Sequence, residues 1–230
     1  MLADSLNWIA SKLEAELGKG SDKPAAVVAV LKELMTEHGA VVFGGDGYST
    51  EWHKMAVEER GLKNLPTTAD ALPYLNDDSV KTLFSSTGVL SEVELESRYE
   101  VYSEIYIMSI GVEAKLVIDM AKTLIYPASM KYLSALLQAF ESTKYVNIQL
   151  DTTTVKFIAD TMDKMMATVR KLINSLSKED FSSTDEHMQY CAGEIRSLMD
   201  EIREYADYLE AEISDELWPL PKYREMLFIK

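Results

Sequence analysis

The sequence predicts an all-α chain: a helical bundle with one long Pro-kinked helix, a C-terminal antiparallel helical hairpin and a Gly-rich loop near the N-terminal third. Three observations carry this. Apolar residues recur at three- and four-residue spacing along nearly the whole chain, no segment sustains period-two alternation, and glycine and proline fall where helices would start or stop. The expected organisation is an N-terminal part, residues 1–90, with helices, the Gly-rich loop and short helical turns, and a long-helix bundle over residues 91–230, continuous as one helical domain.

The elements follow in order. Leu2, Leu6, Ile9, Leu13 and Leu17 share one helical face, with no capping signal before them, so the chain is expected to start inside a helix that Gly18 to Ser21 stops. A second helix is predicted from Asp22, with Pro24 in its first turn, through Val27, Val30, Leu31, Leu34 and Met35 to His38-Gly39. The two should form a hairpin. Ala40 to Phe43 is the one candidate for a brief strand. Ser49 can cap a helix bearing Trp52, Met55 and Ala56 that ends at Arg60-Gly61. Thr67-Thr68-Ala69-Asp70 and Asp77-Asp78-Ser79 are capping signals, which makes residues 62–90 short helical turns separated by Pro66 and Pro73.

Ser91-x-x-Glu94 is a capping box opening a long helix that meets no proline until Pro127, where a kink is expected. Val112, Leu116, Val117, Ile118, Met120, Leu124 and Ile125 leave that helix little polar face, which predicts that other helices surround it. It should resume through Tyr132, Leu133, Leu136, Leu137 and Phe140. One further helix carries Phe157, Ile158, Met162, Met165, Val169, Leu172 and Leu176, and another carries Met188, Cys191, Ile195, Leu198, Ile202, Tyr205 and Leu209. The linker between them, Ser177 to Asp185, is short enough to force an antiparallel hairpin.

Composition excludes several function classes. With 23 Lys and Arg against 38 Asp and Glu, the net charge of −15 opposes nucleic acid and anionic membrane surfaces. Apolar runs are only a few residues long, and Met1-Leu2-Ala3-Asp4 lacks the regions of a signal peptide, so neither a membrane nor an export role is expected. The single cysteine, Cys191, cannot form an internal disulfide and makes the cytoplasm the default compartment.

Candidate chemistry is sparse. Val41-Val42-Phe43 followed by Gly44-Gly45-Asp46-Gly47 imitates a strand and phosphate loop, but Tyr48-Ser49-Thr50 completes neither a Walker loop nor a dinucleotide fingerprint, so a structural turn is the reading. Such glycines imply either positive φ or a close approach of the backbone. The histidines His38, His53 and His187 are preceded at three residues by Met35, Thr50 and Thr184, so the Glu-x-x-His spacing of helical metal sites is missing and no metal ligands are assigned. Cys191 lies on an apolar seam and reads as a small core residue. Glu58-Glu59, Asp77-Asp78 and the acidic residues from Glu210 to Glu216 read as solvated helical surface, and Met162, Met165 and Met166 as core filler. No catalytic, cofactor-binding or metal residue is assigned.

Several ordered segments resemble the C-terminal region of type III glutamine synthetases: Gly45-Asp46-Gly47-Tyr48-Ser49 with Glu51-Trp52; Arg60-Gly61-Leu62 with Asn64-Leu65, then Thr67-Thr68 and Ala71-Leu72; Ser97-Arg98-Tyr99-Glu100; Val112-Glu113-Ala114; Met120-Ala121 with Pro127-Ala128; and Trp218-Pro219-Leu220-Pro221 near Leu227-Phe228. Gly44 stands where asparagine is expected. The resemblance implies that the sites for ATP, magnesium, glutamate and ammonia lie in a catalytic barrel upstream, with no cofactor held here. It also implies partners, namely that barrel and the other subunits of a ringed homo-oligomer, and a structural role for the loop Gly45, Asp46, Gly47, Tyr48, Ser49, Glu51 and Trp52. An autonomous helical interaction module descended from the synthetase is the alternative, and a helical metalloenzyme a third, opposed by the missing histidine spacing.

Overall fold

The computed structural model describes residues 2–39, 42–145 and 148–227, and it is helical throughout, with no strand among them. The candidate strand residues Ala40 and Val41, and Phe228 of the C-terminal motif, lie outside the described residues; Val42 and Phe43 are irregular. The chain divides into two compact units, residues 1–101 and 102–230, with the division falling inside one long helix.

In the first unit, α1 (Leu2–Gly18) and α2 (Lys23–His38) form the expected hairpin across a turn in which Gly20 takes a φ of 90°. Asp22 caps α2 by accepting from the Ala25 N–H at 2.9 Å, and Lys12 reaches Glu33 across the hairpin at 2.5 Å. The packing is thin. α1 buries no residue fully, and α2 buries only Ala26 and Val30, while Val27, Leu31 and Met35 stand open to solvent. The stripe read from the sequence therefore overstates the buried face: small Ala26 and Val30, one turn apart, make the close contact, and the larger side chains lie beside it.

Helix α3 (Thr50–Glu58) ends where the sequence places its stop. Gly61 at φ 64° turns the chain so that the Leu62 N–H reaches the Ala56 carbonyl at 2.8 Å, a closure that favours glycine. The short α4 (Thr68–Ala71), capped by Thr67, runs into a 3₁₀ turn, Leu72–Asn76, and then α5 (Asp78–Ser86), capped by Asp77. Pro73 sits inside the 3₁₀ turn rather than separating two turns, in a first-turn position where its missing N–H costs nothing. Ser91 and Glu94 exchange the capping-box bonds at the head of α6 (Glu92–Met120), and Lys81 ties α5 to Glu96 at 2.9 Å.

The second unit holds the main core. After α6 the ladder widens into a π turn, Ala121–Ile125, before α7 (Tyr126–Lys144). Pro127, which cannot donate, stands just beyond it; the Tyr126 N–H reaches back five residues to the Ala121 carbonyl. The proline is thus accommodated by a change of hydrogen-bond register. Ser129, buried, returns its hydroxyl to the Ile125 carbonyl at 2.8 Å. Helix α8 (Thr153–Leu176) packs against α10 (Arg196–Glu212) as the predicted hairpin, and α7 and the π turn also lie on α8. Ile158, Met162, Met165, Val169 and Leu172 from α8 close on Ile195, Leu198, Ile202, Ala206 and Leu209.

Three differences from the sequence reading stand out here. Phe157 stands at the rim, 40% exposed and edge-on to Tyr208, because the buried row of α8 begins at Ile158. A second π turn, Cys191–Ile195, splits the last helix of the hairpin into α9 (Thr184–Tyr190) and α10. Finally, α6 and the π turn after it are not enclosed: Val112 and Leu116 of α6 are exposed and with Tyr102, Ile105 and Met108 leave an open apolar stripe, and Leu124 of the π turn is exposed too, although Ala114, Ala121 and Ile125 are buried. Among the described residues this stripe stays open to solvent.

Candidate functional site

The Gly-rich loop is the segment whose residue order exceeds what helix periodicity requires. Its geometry is local. The Asp46 carboxylate accepts from the Tyr48 N–H at 2.9 Å, an Asx turn, and the Ser49 hydroxyl donates to the Asp46 carbonyl at 3.1 Å. The same Ser49 oxygen accepts from the Trp52 N–H at 3.1 Å and so caps α3. Asp46 and Ser49 therefore convert an irregular turn into a helix start.

Trp52, delivered by the first turn of α3, stacks on Phe43 with centroids 3.9 Å apart, and the Arg60 guanidinium sits 5.2 Å from the Trp52 ring and 5.7 Å from the Phe43 ring. This is a cation–aromatic clamp that holds the two ends of the loop together. Gly45 lies against it: a Cβ there would fall 2.6 Å from the Phe43 ring. Close approach, not positive φ, accounts for this glycine, whereas Gly44 and Gly47 have open space around them. Tyr48 projects into solvent, 95% exposed, and Glu51 lies on the exposed first turn.

The structure thus brings together Gly45, Asp46, Ser49 and Trp52 of the sequence motif and leaves Tyr48 outside. It adds Phe43 and Arg60, which sequence reasoning had not joined to the site. A signal existed: Trp52, Ala56 and Arg60 are spaced four apart, two on α3 and the third just past its C-cap Glu59. The clamp gathers one guanidinium and two aromatic rings, all three partly buried.

The remaining candidates disperse. His38 and His53 are at exposed positions, and His38 lies edge-on to Trp8. His187 stacks on Phe181 at 4.1 Å, and burial, then the nearby Lys178 ammonium, holds its imidazole below the usual histidine range. Cys191 is a core residue in the second π turn, and burial pushes its thiol up. Among the described residues no three His, Cys, Asp or Glu side chains gather closely enough to hold a metal ion, and no helix is long and apolar enough to cross a membrane.

The described residues are helical throughout, with one closed hairpin and an open apolar face on α6. Residues 26–144, just over half of the chain, match the model of the glutamine synthetase C-terminal domain. The chain belongs to that family. It is 32% identical over 245 residues to a type-3 glutamine synthetase of Dictyostelium discoideum, and 30% identical over 238 residues to a glutamine synthetase of Bacteroides fragilis; all of the chain aligns in both. A glutamine synthetase of Butyrivibrio fibrisolvens is 31% identical over 215 residues, covering 91% of the chain. The chain spans about a third of the length of these relatives.

Proposed function

We propose that this chain is the non-catalytic helical portion of a type III glutamine synthetase. In the full-length enzyme, which joins ammonia to glutamate with ATP and magnesium in the cytoplasm, its role is structural. It packs against the catalytic barrel and against other subunits of a ringed homo-oligomer. The observation that carries this reading is the open stripe Tyr102, Ile105, Met108, Val112 and Leu116 on α6, a helix whose Ala114 is buried in the core. Helical faces of that composition are buried in assemblies, since each large apolar side chain left in water forgoes roughly 1.5–3 kcal/mol of burial. The Phe43–Trp52–Arg60 clamp supplies a second contact of the kind enriched at interfaces.

The isolated chain, freed of host enzyme, is expected to make no glutamine from glutamate, ammonia and ATP. In sedimentation velocity it should self-associate in a way that the double substitution Ile105→Glu and Leu116→Glu abolishes without loss of helical circular dichroism. Turnover by the isolated chain would overturn the non-catalytic assignment. A strictly monomeric sample, indifferent to the substitutions, would favour an autonomous module.

A further inference from the structure

A pocket of about 350 Å³ opens in the second unit between α6, the end of α8, the linker after it and the second π turn. Its size falls in the range of small-molecule sites. Ile107 and Ile110 of α6, Leu176 of α8 and Ile195 of the π turn give it apolar walls. Gly111 belongs to the α6 wall. It lies one turn from Ile107 and one turn from Lys115, which also line the pocket, so a side chain there would project from the same helical face. Nothing stands within 4 Å of the place a Cβ would take. This glycine has neither a positive φ nor a close neighbour to require it, and after proline glycine is the least favoured residue inside a helix. What it provides is room in the pocket. The wall made by Cys191 and Ile195 is irregular too, because both belong to a π turn, a feature frequent at functional sites.

The polar groups of the lining are mainly cationic. The Lys178 ammonium sits 4.6 Å from the centroids of both the Phe181 and the Tyr190 rings, and Tyr190 is itself fixed by its hydroxyl, which donates to the Ser175 carbonyl at 3.2 Å. The two rings hold the ammonium in place. Among the described residues the carboxylate in ion-pair range of it is Glu186, 3.9 Å away and so outside hydrogen-bond reach; the other Glu186 oxygen accepts from the Ser182 N–H and hydroxyl. Lys178 therefore keeps N–H donors that no described protein group uses, and Lys115 has no ion-pair partner among the described residues. Glu179 lines the pocket as well, and His187 adds no charge at neutral pH, since burial and then Lys178 hold its imidazole below the usual range. Two ammoniums against one carboxylate leave the lining positive in a chain whose net charge is −15.

We propose that this pocket binds a small monocarboxylate with an apolar body. The Lys115 and Lys178 ammoniums take the carboxylate, the walls around Ile107, Ile110 and Phe181 take the body, and Gly111 leaves the space for it. The site goes beyond the structural role proposed above, and its test reads neither glutamine synthesis nor association.

The chain contains three histidines, so a sample labelled with carbon-13 histidine gives a ring resonance for each, and the one lost in His187→Gln is assigned to His187. Benzoate is the probe, at a fixed neutral pH. It should move the His187 resonance in a saturable way and leave His38 and His53 unmoved. Benzamide, the same shape without the charge, should bind about tenfold more weakly, and acetate, the same charge without the ring, should also bind about tenfold more weakly. Lys115→Gln, at an exposed position, should weaken benzoate about threefold. Gly111→Leu is the sharpest variant: leucine is a far better helix former and meets open space, so helical content and melting temperature should hold or rise while benzoate binding is lost. Should that variant not fold, Lys115→Gln and Lys178→Gln together decide, with binding lost in the double variant. An unmoved His187 resonance, a common drift of all three histidines, equal binding of benzamide or acetate, or undiminished binding to Gly111→Leu or to the lysine variants would overturn the proposal.

Discussion

Two helical hairpins in this chain are written with the same pattern and packed to different depths. Both α1–α2 and the α8–α10 pair carry apolar residues every three or four positions, yet α1 buries no residue fully while α8 buries seven. The difference lies in what surrounds each. The α8–α10 seam is covered from a third side by α7 and the first π turn, whereas Leu2, at 75% exposure, and Leu6 have no such cover. An amphipathic stripe thus records the capacity to be buried, and the number of partners decides how much of it is used.

Replacing one residue in each hairpin should break this comparison most sharply. Leu172→Ala deletes a side chain with no exposure and should cost about 2–5 kcal/mol in urea unfolding. Leu6→Ala, at an exposed position, should stay within about 0.5 kcal/mol. Amide exchange should follow the same order, slow along residues 156–210 and fast along residues 2–20 at low concentration; protection of the first helix that rises with concentration would mean that another copy covers it. Equal costs for the two substitutions would remove the distinction.

The next effect concerns how the deep hairpin starts. Ser183 caps α9 by accepting from the Glu186 N–H at 3.1 Å, and Ser183→Ala should lower stability by about 0.5–2 kcal/mol. A smaller loss is expected in the shallow unit. Gly45→Ala pushes a Cβ against the far edge of the Phe43 ring, which swings off Trp52, forfeiting about 0.5–1.5 kcal/mol of stacking and part of the near-ultraviolet circular dichroism. Gly44→Ala and Gly47→Ala meet open space and should leave that signal unchanged.

The smallest effect is a matched pH response. In the first unit the Asp77 carboxyl is held below its ordinary value by hydrogen bonds from the Ser79 side chain and backbone; in the second, Glu186 is held below by the Ser182 side chain and backbone, with help from Lys178. Both are depressed in the folded state, so their contribution is complete above the ordinary values of 3.8 and 4.5 and is lost as pH falls through the lower folded ones. Urea midpoints taken from about pH 6 down to about pH 3 should fall, and less steeply in Asp77→Asn and Glu186→Gln. An acid limb that neither substitution flattens would show that other groups govern it.

Much of this architecture was legible in the residues because the signals are local. Asp22, Ser49, Thr67 and Asp77 each cap the helix their type and position announce, and Gly61 and the Ser91–Glu94 box behave likewise. The Ser183-x-x-Glu186 pair was equally readable, and it starts a helix inside the stretch taken as linker. Of the loop, the cap and the Asx turn follow from residue type. The clamp does not, because Phe43 reaches Trp52 and Arg60 only through the path of the irregular loop between it and α3.

By itself the sequence determined that the chain is helical, where most helices start and stop, which residues of α8 and α10 face each other, and the family to which it belongs. Caps, periodicity and turn glycines depend on neighbours within a few residues, so they are written in order along the chain. Tertiary structure alone decided that α6 keeps an open stripe, that α2 closes through Ala26 and Val30, and that Pro127 is absorbed by a π turn. It also left Trp218 with a buried N–H facing no acceptor in the protein. Each of these depends on which surfaces distant segments bring together and on the room left between them, quantities that no local pattern of residues encodes.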